Sequence, residues 1–138
     1  MLLEQTESRM REFWSFLGQR NLDAAEDYIA ADYKYHGPGG IEASGVGGFK
    51  EMLSVYFAAF SDLSFTVHEI ICEGNRAVSR FIAKGTHDGD LMGLPPTGKE
   101  ICFDGMVIAR IVDGKIVEEW EVLDELSMMQ KLGALPAE

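Results

Sequence analysis

The chain has 138 residues, 46% of them hydrophobic, and a formal net charge of −11. That length can bury a sizeable core without a metal or disulfide staple. The acidic balance excludes nucleic acid or an anionic membrane as the main partner, because both demand clustered Lys and Arg. Cys72 and Cys102 form no Cys-x-x-Cys pair, and the polar start Met1-Leu2-Leu3-Glu4-Gln5 holds no signal-peptide core. These features predict a single domain over residues 1–138 in the cytoplasm.

Glu4 to Leu17 reads as a helix, with Met10, Phe13, Trp14 and Leu17 at helical spacing and Gly18 as its cap. Asn21 can cap a shorter helix whose inner face is Leu22, Ala25 and Ile29. Asp32 to His36 reads as a short strand that breaks at Gly37-Pro38-Gly39-Gly40, and the Gly-rich stretch to Gly48 as an irregular rim. Phe49, Met52, Leu53, Tyr56, Phe57 and Phe60 form a helical stripe that turns inward, opposite Lys50, Glu51 and Ser54. From Leu63 the period becomes strand-like. Strands are expected over 64–73, 76–86, 101–112 and 115–124, with hairpins at Gly74-Asn75 and Asp113-Gly114. A loop over 89–99 carries Leu94-Pro95-Pro96-Thr97-Gly98. A last helix over 125–132 ends at Gly133, with Pro136 beyond it. Helices followed by hairpin-linked strands predict an α+β fold: a strongly curved antiparallel sheet, its concave side plugged by the N-terminal helices into a cone.

The chemistry centres on Asp113 to Asp124. Strict alternation puts Ile116, Glu118, Trp120, Val122 and Asp124 on one face, and Val117, Glu119, Glu121 and Leu123 on the other. If the first face lines the cone, Asp124 stands on an apolar wall where its pKa rises, which suits proton transfer near neutral pH. The competing role is an ordinary helix cap before Glu125. His87 and His36 each fit either a proton donor or a loop histidine bonded to the backbone. Candidate substrate contacts are Trp14, Tyr35, Phe57, Arg80, Met106 and Trp120, with Glu118 or Asp104 as the partner of Arg80. No His pair has metal-ligand spacing, and no nucleotide-binding glycine motif or Gly-x-Ser-x-Gly elbow is present, so neither metal nor cofactor is expected. The face with Val117, Glu119, Glu121 and Leu123 is then the outer one, and the expected surface for a homodimer.

Several stretches together resemble the SnoaL-like polyketide cyclases. They are Phe60-Ser61-Asp62-Leu63, Gly85-Thr86-His87-Asp88-Gly89, Pro95-Pro96-Thr97-Gly98, Asp113 to Glu118, Trp120 to Asp124 and Gln130-Lys131-Leu132-Gly133. The resemblance implies the cone shared with nuclear transport factor 2 and ketosteroid isomerase. It also implies cofactor-free aldol closure of a ring in a carbonyl-containing, apolar or aromatic ligand. The family's catalytic aspartate, beyond a tryptophan on the last strand, matches Asp124 after Trp120. Its assisting histidine has no clear counterpart, since Arg110 stands in that region. An isomerase or dehydratase using similar enolate chemistry, or a non-catalytic binding or dimerisation module, are the alternatives.

Overall fold

The structure is a computed structural model and describes residues 3–134; Pro136 lies outside them. Helix α1 (Leu3–Gly18) is followed by a short 3-10 turn (Leu22–Asp27), with Asn21 accepting from the Asp23 N–H as its cap. Strands β1 (Ile29–His36) and β2 (Glu42–Ser44) lead into helix α2 (Gly45–Ala59). Four strands follow, β3 (Ser64–Glu73), β4 (Arg76–Thr86), β5 (Glu100–Val112) and β6 (Lys115–Leu123), before the closing helix α3 (Glu125–Leu132). The predicted α+β class and the four long strands are present at nearly their predicted bounds.

The sheet runs β2-β1-β6-β5-β4-β3. Two features depart from the sequence reading. Ile29 begins β1 rather than lining a helix, and β1 pairs parallel with β6, so the sheet is mixed rather than antiparallel. The stretch after Gly40 also supplies a third short element, β2, that pairs antiparallel with β1. The β1–β6 pairing has no local signal, because the two strands lie far apart in sequence; β1 and β2 are joined by the short 37–41 turn, closed by the Gly37 N–H donating to the Ile41 carbonyl, where the glycines and Pro38 read only as a break.

Register breaks bend the sheet. They lie between Ile29 and Lys34 in β1, between Val67 and Glu69 in β3, and opposite Arg110–Ile111 in β6. An extra residue on one strand kinks it and increases its twist. The curved inner face presents Phe81, Ile101, Phe103, Val107 and Ile111, all buried. At Gly105 an added Cβ would lie 2.6 Å from the Phe81 ring, so the missing side chain is what lets that ring cross the inner face. Helix α1 lays Met10, Phe13, Trp14 and Leu17 against this face. Trp14 Nε1 donates to the buried Ser79 hydroxyl at 3.0 Å, which satisfies both polar groups. Helix α2 covers β1 and buries Phe49 against Phe13, Phe16 and Tyr33. Burying a ring of that size contributes about 2–3 kcal/mol.

The loop between β4 and β5 is clasped to the end of α2. Asp62 accepts from the Thr86 N–H at 2.6 Å and its hydroxyl at 2.9 Å, and Asp88 accepts from both the N–H and the hydroxyl of Ser61. These bonds hold both carboxyls below the ordinary carboxylate range. His87 is fully buried, and its Nδ1 accepts from the Thr97 N–H at 3.2 Å. The Phe60-Ser61-Asp62 and Gly-Thr-His-Asp motifs thus tie one corner of the fold together.

Candidate active site

The register of β6 decides what faces the interior. Ile111 pairs with Ile116, but Ala109 pairs with Glu119 and Val107 with Glu121. One residue more than strict alternation allows is therefore taken up around Val117. Below this bulge Ile116 points inward and is buried; above it, the inward positions are Glu119, Glu121 and Leu123. Glu118, Trp120 and Val122 lie on the outer side, with Val122 66% exposed. The face assignment from the sequence is thus corrected: it carried the parity of Ile116 across a bulge. For the same reason Glu119, Glu121 and Leu123 are unavailable to a partner sheet.

Two carboxyls now project from alternate positions of one strand into an apolar interior. Each meets a tyrosine from β1, the parallel neighbour. Tyr33 donates to Glu119 Oε1 at 2.6 Å, and Tyr35 donates to Glu121 Oε1 at 2.5 Å. Gly37 makes the second contact possible, since a Cβ there would lie 2.4 Å from the Tyr35 ring. Burial pushes the Glu119 carboxyl up to about 8; the Tyr33 hydrogen bond opposes this and the charge of Glu121 adds to it. Burial likewise lifts Glu121 to about 7 against the pull of Tyr35. Both tyrosines are held above the ordinary phenol range, by burial first and by the neighbouring glutamates second. The result is a pair of carboxyls that exchange protons around neutral pH rather than near the usual 4.5.

Glu121 reaches open space. A cavity of about 70 Å³ is bounded by Glu121, Tyr35, Trp14, Phe81, Phe103 and Leu123, among others. A second, of about 50 Å³, lies between Glu119 and Glu121 on one side and Phe13, Phe49 and Leu53 on the other. Tyr35, Met52 and Tyr56 also border a wider groove outside, of about 480 Å³, between α2, β2 and the tip of the 88–98 loop. Burial, then Glu121 and Glu125, push the Tyr56 phenol up to about 12. Among the described residues no cluster of three or more His, Cys, Asp or Glu side chains is placed to hold a metal ion. No helix among them is long and apolar enough to cross a membrane.

The SnoaL-like polyketide cyclase family model matches residues 4–132. The chain belongs to that family. A comparison with curated protein sequences gives no match. Among solved structures, AclR, a proposed hydroxylase from Streptomyces galilaeus, is similar at 26% identity and TM-score 0.88, over 99% of this chain and 86% of its own. IdmH, a proposed polyketide cyclase from Streptomyces antibioticus, is similar at 28% identity and TM-score 0.82, over 94% of this chain and 99% of its own. A proposed SnoaL-like polyketide cyclase from Jannaschia sp. CCS1 shares the fold at 19% identity and TM-score 0.88, over 96% and 94% of the two chains. The cone fold implied by the motifs is therefore the fold of this SnoaL-like chain.

The residues nominated from the sequence divide between the two sides of the sheet. Trp14 and Tyr35 line the interior cavities. Phe57 is partly buried beneath the Arg20 guanidinium, 4.5 Å from its ring centroid, and borders neither cavity. Asp124 is exposed and caps α3, accepting from the Ser127 N–H at 3.1 Å, so the capping role is the one its geometry fills. Met106 and Trp120 are on the outer side, as is Arg80, whose guanidinium pairs with Glu69 at 2.9 Å rather than with Glu118 or Asp104. His36 is also outside, bonded to Glu118 at 2.7 Å and stacked on Trp120 at 5.7 Å. Glu118 further accepts from Arg110 at 3.3 Å, and these partners, His36 first, hold its carboxyl below the ordinary range. His87 is enclosed at the α2 clasp and lines neither interior cavity.

Sequence reasoning did not bring Glu119 and Glu121 together with Tyr33 and Tyr56 in the interior. A signal for the first three was present. Tyr33 and Tyr35 alternate on a short strand, as Glu119 and Glu121 do, and matching two phenols with two acids across one face would have argued for that parity.

Proposed function

We propose that the chain is an acid–base enzyme of the polyketide cyclase type, with Glu121 rather than Asp124 as its base. The supporting observation is a carboxyl on the wall of an apolar cavity, raised to about 7 by burial and oriented by Tyr35. A base poised near the working pH combines a useful ionised fraction with enough basicity to remove a carbon-bound proton.

Glu121, as carboxylate, takes a proton from a carbon beside a carbonyl. The C–H electron pair moves into the carbon–carbon bond of an enolate, and the carbonyl pair moves onto oxygen. In a cyclisation the enolate carbon attacks a second carbonyl of the same molecule, and the proton held on Glu121 returns to the new alkoxide. Every step is a proton transfer or a carbon–carbon bond formation, so the balance needs no oxidant or reductant. The charge of Glu121 adds to the burial that raises Glu119, so the two carboxyls resist ionising together and one stays protonated while the other works.

The test is exchange at the carbon beside a carbonyl. Acetophenone in D2O, followed by proton NMR, is expected to lose its methyl signal faster with the protein than without. Glu121→Gln should cut the protein-dependent rate by roughly 10²–10⁴-fold, the usual worth of a positioned base. Exchange at the unaltered rate in Glu121→Gln would remove Glu121 from the chemistry.

A further inference from the structure

The space beside Glu121 is small and the space outside it is large. The inner cavity, about 70 Å³, falls well below the roughly 150 Å³ of an apolar cavity that admits one benzene ring. The outer groove, about 480 Å³, is within the ~300–1,000 Å³ common for small-molecule sites. Both are bordered by Tyr35, Met52 and Tyr56. A ligand that reaches Glu121 through this throat is narrow at its reacting end and has room for its bulk only outside.

The walls also restrict charge. Ile41, Ala43, Val55 and Met92 give the groove an apolar surface, and Met92, at the tip of the 88–98 loop, is 62% exposed over it. The carboxylates at the groove are Glu42 and Glu51, and among the described residues no Lys, Arg or His borders the groove or the inner cavity. An anionic group in either place meets like charge with no counterion from the protein. Tyr56 marks the joint between the two spaces. The Tyr33 and Tyr35 hydroxyls are already given to Glu119 and Glu121, whereas the Tyr56 hydroxyl makes no hydrogen bond to a described residue. It is free to donate to an oxygen arriving at the throat.

We propose that the substrate is an elongated carbonyl compound without anionic groups. Its small enolisable head passes the throat towards Glu121, its carbonyl oxygen accepts from Tyr56, and its apolar body lies in the groove under Met92. This rests on Glu121 being the base, and it adds the size, charge and orientation of what that base acts on.

The probes are acetophenones bearing a para hexyl ether chain that ends in a hydroxyl, a carboxylate or a trimethylammonium group. Binding is read by titration calorimetry and turnover by α-deuterium exchange. The hydroxyl- and ammonium-ended ketones are expected to bind at least about tenfold more tightly than the carboxylate-ended one. Val55→Trp, which fills the groove from an exposed helix position, should weaken the hydroxyl-ended ketone by a similar factor. Tyr56→Phe should slow exchange of the bound ketone while the preference among chain ends persists. Equal binding of the three chain ends, or a Val55→Trp protein that binds the chain-bearing ketone normally, would overturn the proposal. Chain-dependent binding without exchange would instead refute Glu121 as the base and leave the groove assignment standing.

Discussion

Strand β6 carries acids on both sides, and the two sides treat them oppositely. Glu119 and Glu121 face the interior, where burial raises them to about 8 and about 7 and a tyrosine is each one's hydrogen-bond donor. Glu118, between Val117 and Glu119, faces outward, where His36 and Arg110 hold its carboxyl below the ordinary value. Neighbours in sequence therefore titrate on opposite sides of the normal range. What separates them is desolvation on one face and countercharge on the other. Which acid meets which face depends on the single extra residue near Val117.

Changing that count breaks the comparison most severely. Deleting Val117 removes the bulge and leaves Ile116, Glu118 and Glu119 to alternate in, out and in, so the β5–β6 pairing and both faces persist. Inserting one alanine between Glu118 and Glu119 does the opposite: it forces a choice between losing the β5–β6 pairing beyond the insertion and turning Trp120 and Val122 inward, with Glu119 and Glu121 taken from their tyrosines. By circular dichroism the deletion protein is expected to melt cooperatively, whereas the insertion protein should melt far lower or show no cooperative transition; a deletion protein that fails to fold would contradict this register.

The next effect is a pH dependence with a defined sign. Below about pH 4.5, Glu119 is protonated in both the unfolded and the folded chain, so it carries no penalty. Above that value the unfolded chain ionises while the folded one stays protonated up to about 8, so stability falls as pH rises through this window. A displacement of that size corresponds to several kcal/mol. Glu119→Gln abolishes this contribution and leaves the similar, narrower one from Glu121. The melting temperature of Glu119→Gln should therefore decline less between pH 5 and pH 8 than that of the unaltered protein. Parallel declines would mean that Glu119 ionises normally in the folded chain.

These contrasts also show what was legible in the sequence. The long strands could be read because their apolar residues alternate and their hairpins carry Gly-Asn and Asp-Gly turns. The cone followed from four such strands with helices to cover them. The faces of β6 were not read correctly, because a bulge leaves no mark in alternation: Ile116, Glu118, Trp120 and Val122 form as regular a series as Glu119, Glu121 and Leu123. The parallel contact of β1 with β6 joins residues some 86 positions apart, and no local pattern encodes it. Asp124 was expected on the inner face by extending the wrong series, although its capping role was visible beside Glu125.

The smallest effect separates Asp124 from the interior acids. Asp124→Ala removes the acceptor for the Ser127 N–H and should lower stability by about 1 kcal/mol, while Asp124→Asn, also a good cap, should lower it much less. Neither should alter acetophenone exchange; a loss of exchange in Asp124→Asn with stability intact would return Asp124 to the chemistry.

The most direct test of the central claim is a carbon-13 NMR titration of the glutamate side-chain carboxyls in the folded protein. Two resonances are expected to titrate at about 7 and about 8, one lost in Glu121→Gln and the other in Glu119→Gln. If every glutamate titrates near or below 4.5, the interior of the cone does not hold the acid–base pair described here.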